Sequence, residues 1–108
     1  WRVIIMFLWV DDMRTPPTDH WIWVKSVNEA KSVIRCYERN MTDESIYINL
    51  DHDAGDYFKD GGDYIEILNW LEESKIPDTG YLFGLHTQNP VGRMNMRAII
   101  EHNNWRLI

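Results

Sequence analysis

The sequence predicts one α/β domain built on a parallel sheet, and three observations carry that prediction. Residues 3–10 (VIIMFLWV) form a continuous apolar, β-branched and aromatic run, the mark of a strand covered on both faces. Strand-like and helix-like segments then alternate in the order β-α-β-α-β-α, which calls for right-handed crossovers and a parallel sheet. Finally, the apolar runs end directly in polar, chemistry-bearing residues: Asp11 and Asp12, then Asp51, His52 and Asp53, then His86 and Thr87.

Each element follows from local pattern. After the first strand, Pro16 and Pro17 make MRTPPTDH a poor helix, so it reads as a loop. Residues 21–24 form a short second strand. Ser26 or Asn28 can cap the helix that follows to about Arg39, with Ala30, Val33, Ile34 and Tyr37 as its apolar stripe. Residues 40–45 are a turn and 46–50 the third strand. A polar loop over 54–62 carries Gly55, Gly61 and Gly62. Tyr64, Ile67, Leu68 and Leu71 stripe a helix over about 63–74. Pro77 and Gly80 break the chain before a strand at 81–85, QNPVG opens a helix to about His102, and 105–108 can form a last strand.

A chain of 108 residues with 44% apolar content is expected to be a single domain, spanning 1–108. Six tryptophans supply large buried surfaces. The net charge of −6 argues against bulk DNA binding, which rests on Lys and Arg neutralising phosphates. It leaves room for a small phosphorylated ligand, because a bound cation reverses the local field. The single cysteine, Cys36, excludes an intrachain disulfide and reads as a small buried hydrophobe in a helix. The run 3–10 is too short to span a bilayer, and no cleavable leader opens the chain, so no membrane association and a cytoplasmic location are expected. The chain starts at Trp1 without Met, from which an initiator Met or a tag is expected to be missing.

In a parallel sheet every strand delivers its next residue to one rim, where ligands collect. Asp11, Asp12, Asp51 and Asp53 should therefore share an edge with His86 and Thr87. Carboxylates crowded within a few ångströms repel unless a cation neutralises them, and Mg²⁺ or Mn²⁺ suits such a hard oxygen set. The plainer alternative is a set of loop aspartates that cap helices. His52 reads equally as a surface histidine, and His86 as one satisfied by backbone. In the turn after Thr87, Asn89 can cap, Pro90 suits a first helical turn, Gly92 permits close approach and Arg93 offers a donor fork for phosphate. Plain helix initiation explains that turn as well. Arg14 can pair with the carboxylates or reach a substrate phosphate. Asp56, Asp60 and Asp63 read as solvated or capping residues. Tyr57 and Phe58 could stack on a base, or fold back on the core.

The acidic pair Asp11-Asp12, Asp51 and Thr87 resemble the pocket of response-regulator receiver domains. That resemblance implies a flavodoxin-like sheet of about five strands in the order 2-1-3-4-5. It also implies Mg²⁺ held by the acids, a phosphoacceptor aspartate at Asp51, and a threonine that contacts the phosphoryl group. Against that pattern the first receiver helix is expected to be reduced or replaced by the proline loop and the last to be reduced or absent; in place of the receiver lysine the nearest base is Arg106. The segments VDDMRTPP, NLDHDAGD and HTQNPVGRMNM are similar to the DDxRxxP, LDHD and H(S/T)xNPxGxxNM motifs of the cyclic-phosphate processing receiver family. Membership would imply metal-assisted processing of a nucleotide or RNA-end cyclic phosphate, so the expected partner is a phosphorylated small molecule or an RNA end. Under that reading Asp11, Asp12, Asp51 and Asp53 hold metal. Asp51, His86 and His52 carry the chemistry as nucleophile and general acid or base, while Arg14, Thr87, Asn89, Gly92 and Arg93 hold phosphate. Two alternatives stand beside it: a signalling receiver phosphorylated on Asp51, and a module that binds phosphate without chemistry.

Overall fold

The computed structural model describes residues 3–39, 44–74 and 80–108. Strand β1 (Val3–Val10) is followed by β2 (Ile22–Val24), helix α1 (Val27–Arg39), β3 (Glu44–Leu50) and a 3₁₀ helix (Gly55–Asp60). Helix α2 (Ile65–Glu73), β4 (Tyr81–Leu85), α3 (Pro90–His102) and β5 (Arg106–Leu107) complete the chain. The five strands are all parallel, in the order β2-β1-β3-β4-β5, as a receiver-like flavodoxin fold requires.

Right-handed crossovers explain where the layers lie. The steps β2 to β3, β3 to β4 and β4 to β5 all run in one direction across the sheet, so α1, α2 and α3 share a face. Leu8, Val10, Ile46, Ile48, Leu50, Tyr81 and Phe83 point to that face and are buried against Ala30, Ile34, Ile67, Leu68, Leu71, Met96 and Ile100. The step from β1 to β2 runs the opposite way and crosses the other face. There the proline loop stands in for a helix, and it ends by placing Trp21 on the sheet. The Trp21 ring lies 5.2 Å from Phe7, 5.4 Å from Trp9 and 5.4 Å from Tyr47, centroid to centroid. Phe7, Trp9 and Tyr47 alternate with the inner residues of β1 and β3, so the outer face carries an aromatic layer.

Caps fix the helix starts. Ser26 Oγ accepts the Glu29 N–H at 3.0 Å, while Glu29 Oε1 accepts the Lys25 N–H at 2.8 Å, so two N-terminal donors are satisfied reciprocally. Asn89 Oδ1 accepts the Gly92 N–H at 3.0 Å and starts α3, with Pro90 in the first turn.

Several details depart from the sequence pattern. Strand β2 begins at Ile22 because Trp21 turns onto the aromatic layer. Of the turn expected at 40–45, Glu44 and Ser45 lie in β3, whereas 40–43 and the break at Pro77 fall outside the described residues. The glycine-rich loop is ordered as the 3₁₀ helix and closed by Gly61 at φ 120°. Cys36 is exposed, since it follows the buried Ile34 by about 200° around α1. Tyr57 packs against the core, but Phe58 is 60% exposed. Asp63 neither caps a helix nor stands free: its Oδ1 accepts the Ala54 N–H at 3.0 Å and ties down the loop before the 3₁₀ helix. No described helix is long and apolar enough to cross a membrane.

Candidate functional site

Three residues lie side by side because the sheet's hydrogen bonds continue one step past the strands. Asp11 N–H donates to Val24 O at 3.2 Å, Asp51 N–H to Val10 O at 2.9 Å, and His86 N–H to Leu50 O at 3.0 Å. Asp11, Asp51 and His86 are thus the first residues beyond the neighbouring strands β1, β3 and β4. One ligand atom from each lies within 4.8 Å of the others.

Asp11 is 1% exposed. Its Oδ1 accepts the backbone N–H groups of Met13 and Arg14 at 2.9 and 3.0 Å, and its Oδ2 sits 2.8 Å from His86 Nε2. Burial pushes its carboxyl upward, but those two backbone donors and His86 outweigh burial and hold it below the ordinary 3.8. Asp12 goes the other way. Burial raises its carboxyl, and repulsion from Asp11 and Asp51 adds to that rise beyond what its backbone hydrogen bond offsets. Asp51 is half-buried, and its Oδ1 accepts the His52 N–H at 2.8 Å. Tyr64, buried beneath these acids, donates its hydroxyl to Lys25 O at 2.8 Å; burial and the charges of Asp12, Asp11 and Asp51 keep that phenol protonated. At Gly55 the backbone has φ 56° and passes so close to Asp12 Oδ2 that a Cβ there would overlap it.

His86 is gripped on three sides. Nε2 faces Asp11, Nδ1 lies 2.5 Å from Asn49 Oδ1, and the ring stacks on Trp9 at 4.0 Å and 6°. With an oxygen at each ring nitrogen, both contacts are hydrogen bonds only when both nitrogens carry hydrogen. Trp9 Nε1–H donates to Arg14 O at 2.9 Å, and Trp23 Nε1–H to Asp11 O at 2.8 Å, so indoles also anchor the loop after β1.

The remaining expected residues divide. Arg14 and Arg93 both grip the β4–α3 connection: Arg14 Nη1 donates to His86 O at 2.9 Å, and Arg93 Nη2 to Leu85 O and Thr87 O at 3.1 and 3.2 Å. Each guanidinium has further N–H groups for an anion. Thr87 is buried, and its Oγ1 accepts the Asn89 N–H at 3.1 Å. Three expectations need correction. Gly92 does permit a close approach, but by the His52 ring, and its N–H is taken by Asn89 Oδ1; it offers no open cradle. The Asp53 carboxylate is not with Asp11 and Asp51. It lies 2.9 Å from His52 Nδ1, in a separate group with Asp63. His52 belongs to that same group, through the contact of its Nδ1 with Asp53. Asn49, Trp9, Tyr47 and Gly84 were not singled out by their residue types. The one available signal was Asn49, a polar residue inside the apolar run of β3.

The family model of the cyclic-phosphate processing receiver domain matches residues 6–102, from within β1 to the end of α3. No curated protein and no solved structure was found to match the chain.

Proposed function

The chain belongs to the cyclic-phosphate processing receiver domain family, and from that membership we propose that its acidic rim processes a phosphoester with a divalent metal, the substrate being a nucleotide or RNA-end cyclic phosphate. The observation that carries this reading is the convergence of Asp11, Asp51 and His86 from three adjacent strands, with ligand atoms within 4.8 Å of one another.

The donor set suits Mg²⁺ or Mn²⁺: Asp12 and Asp51 offer hard oxygens, and Asp12 is held in a field that disfavours its charge. Asp11, in one group with Asp51 and His86, joins that set, and its hydrogen bonds fix its loop and His86. When bound, such an ion supplies charge neutralisation and polarisation of a phosphoryl oxygen. The protein's own groups do the rest. His86 aims Nε2 at the acids, and in the tautomer with hydrogen there it can pass that hydrogen to a leaving oxygen. Arg14 and Arg93 bind phosphate oxygens through the N–H groups not spent on the β4–α3 backbone.

The test is product chromatography on nucleoside 2′,3′-cyclic phosphates and linear phosphoesters, with Mg²⁺ or with EDTA. The cyclic compounds are opened only with metal, and His86→Ala slows the chemical step by ~10²–10⁴-fold without unfolding the protein. A second reading, a phosphate-binding module without chemistry, is favoured by one observation: both ring nitrogens of His86 are already engaged within the protein. Metal-dependent binding with no turnover of any compound would establish it instead.

A further inference from the structure

We propose that Asn49 is the positioning residue for His86, held in place by Tyr47 and given its space by Gly84. This rests on the reading of His86 as the proton-carrying group of the rim. The path begins on the outer face of the sheet, away from the acids. Asn49 Nδ2 donates to Tyr47 Oη at 3.2 Å, which turns the carbonyl of the same amide to His86. Asn49 Oδ1 then meets Nδ1 at 2.5 Å, and the far nitrogen, Nε2, points at Asp11 Oδ2 at 2.8 Å. Register makes this possible. Asn49 pairs with Gly84 across β3 and β4, and His86 lies two residues beyond that glycine on the same side of the sheet. A Cβ on Gly84 would lie 2.5 Å from Tyr47 Oη and 2.8 Å from Asn49 Nδ2, so only glycine leaves room for the pair.

Trp9 alone does not orient the ring. A stack at 4.0 Å and 6° fixes its plane but not which edge faces which neighbour, because a half-turn about Cβ–Cγ returns the ring to the same plane. A hydrogen bond at Nδ1 removes that freedom, and Asn49 supplies it from a strand rather than from a mobile loop. The Tyr47–Asn49–His86–Asp11 series therefore links the aromatic face of the sheet to the acidic rim.

The experiment compares parent protein, Asn49→Leu, Asn49→Asp and Tyr47→Phe, all as the full chain without metal. The readout is the NMR positions of the histidine ring C–H groups, with His86 assigned by His86→Gln. In the parent, the Trp9 ring current moves the His86 signals upfield of those of His20, His52 and His102. Asn49→Leu, which keeps shape but removes the acceptor, should displace both signals, because the half-turn then exchanges the two ring C–H positions over the indole. Asn49→Asp, which keeps an acceptor, should restore them. In a separate assay with Mg²⁺, on a cyclic phosphate that the parent opens, Asn49→Leu should lower kcat by ~10²-fold with KM within about twofold, as expected for misplacement of a group by about an ångström. Unchanged His86 signals in a folded Asn49→Leu protein would overturn the proposal. Should that variant fail to fold, Tyr47→Phe decides: displaced signals support the proposal, and parental signals overturn it. If the parent opens no phosphoester, the functional reading fails, while the ring signals still decide the role of Asn49.

Discussion

Asp11 and Asp12 are neighbours with opposite electrostatics. Asp11 is held below the ordinary 3.8, so its contribution to stability is complete above that value and is lost as pH falls through its lowered value. Asp12 is raised above 3.8, so its contribution is complete below that value and is lost as pH rises through the raised one. At neutral pH, Asp12 is thus a carboxylate that the metal-free fold bears at a cost. Asp12→Asn should raise the metal-free melting temperature at pH 7, because it removes the charge that burial and the neighbouring acids disfavour. The same change should remove the rise that millimolar Mg²⁺ gives the parent, since a ligand stabilises the fold only through the state that binds it. Differential scanning calorimetry with and without Mg²⁺ checks both. A lower metal-free melting temperature would show that Asp12 makes a favourable contact stronger than its repulsions. At this scale the sequence was informative about the placement of Asp11, Asp51 and His86, because each follows an apolar run directly, and Asp12 is the next residue after Asp11. It could not separate Asp53 and His52 from them. That depends on side-chain direction two and three residues beyond the strand, where no regular period applies.

Among the elements, α3 is tied to the site more closely than its apolar stripe implies. Its first turn rests on the His52 ring, and the contact is made by Gly92, where a Cβ would lie 2.5 Å from ring carbons Cγ and Cδ2. In an open helix, glycine to alanine would stabilise by up to about 1 kcal/mol. Here the ring must move, so Gly92→Ala should instead destabilise by about 1–3 kcal/mol, read from the urea midpoint. A higher midpoint would mean that His52 yields freely and that the packing is loose. The stripes of α1 and α2 were legible because period and burial coincide: Ala30, Ile34, Tyr37, Ile67, Leu68 and Leu71 are all buried. The 3₁₀ helix was not, because a short segment of this kind has no apolar stripe, and its end depends on the positive φ of Gly61.

At the scale of the whole molecule, the parallel sheet was visible in the alternation of elements, and its order in the resemblance carried by three motifs. The two layers follow from crossover handedness, including the proline loop and Trp21 on the face opposite the helices. The Asn49 contact was beyond reach for a plain reason: it joins β3 to β4 through a register that only the assembled sheet sets. The central claim is that this assembly builds one metal centre from Asp12, Asp51 and their supports at the rim. The most direct measurement is electron paramagnetic resonance of Mn²⁺ titrated into the metal-free protein. One Mn²⁺ per chain should lose its free-ion signal in the parent, and that bound ion should be absent from a folded Asp51→Asn variant. A free-ion spectrum for the parent at millimolar Mn²⁺, or equal binding by Asp51→Asn, would contradict the account.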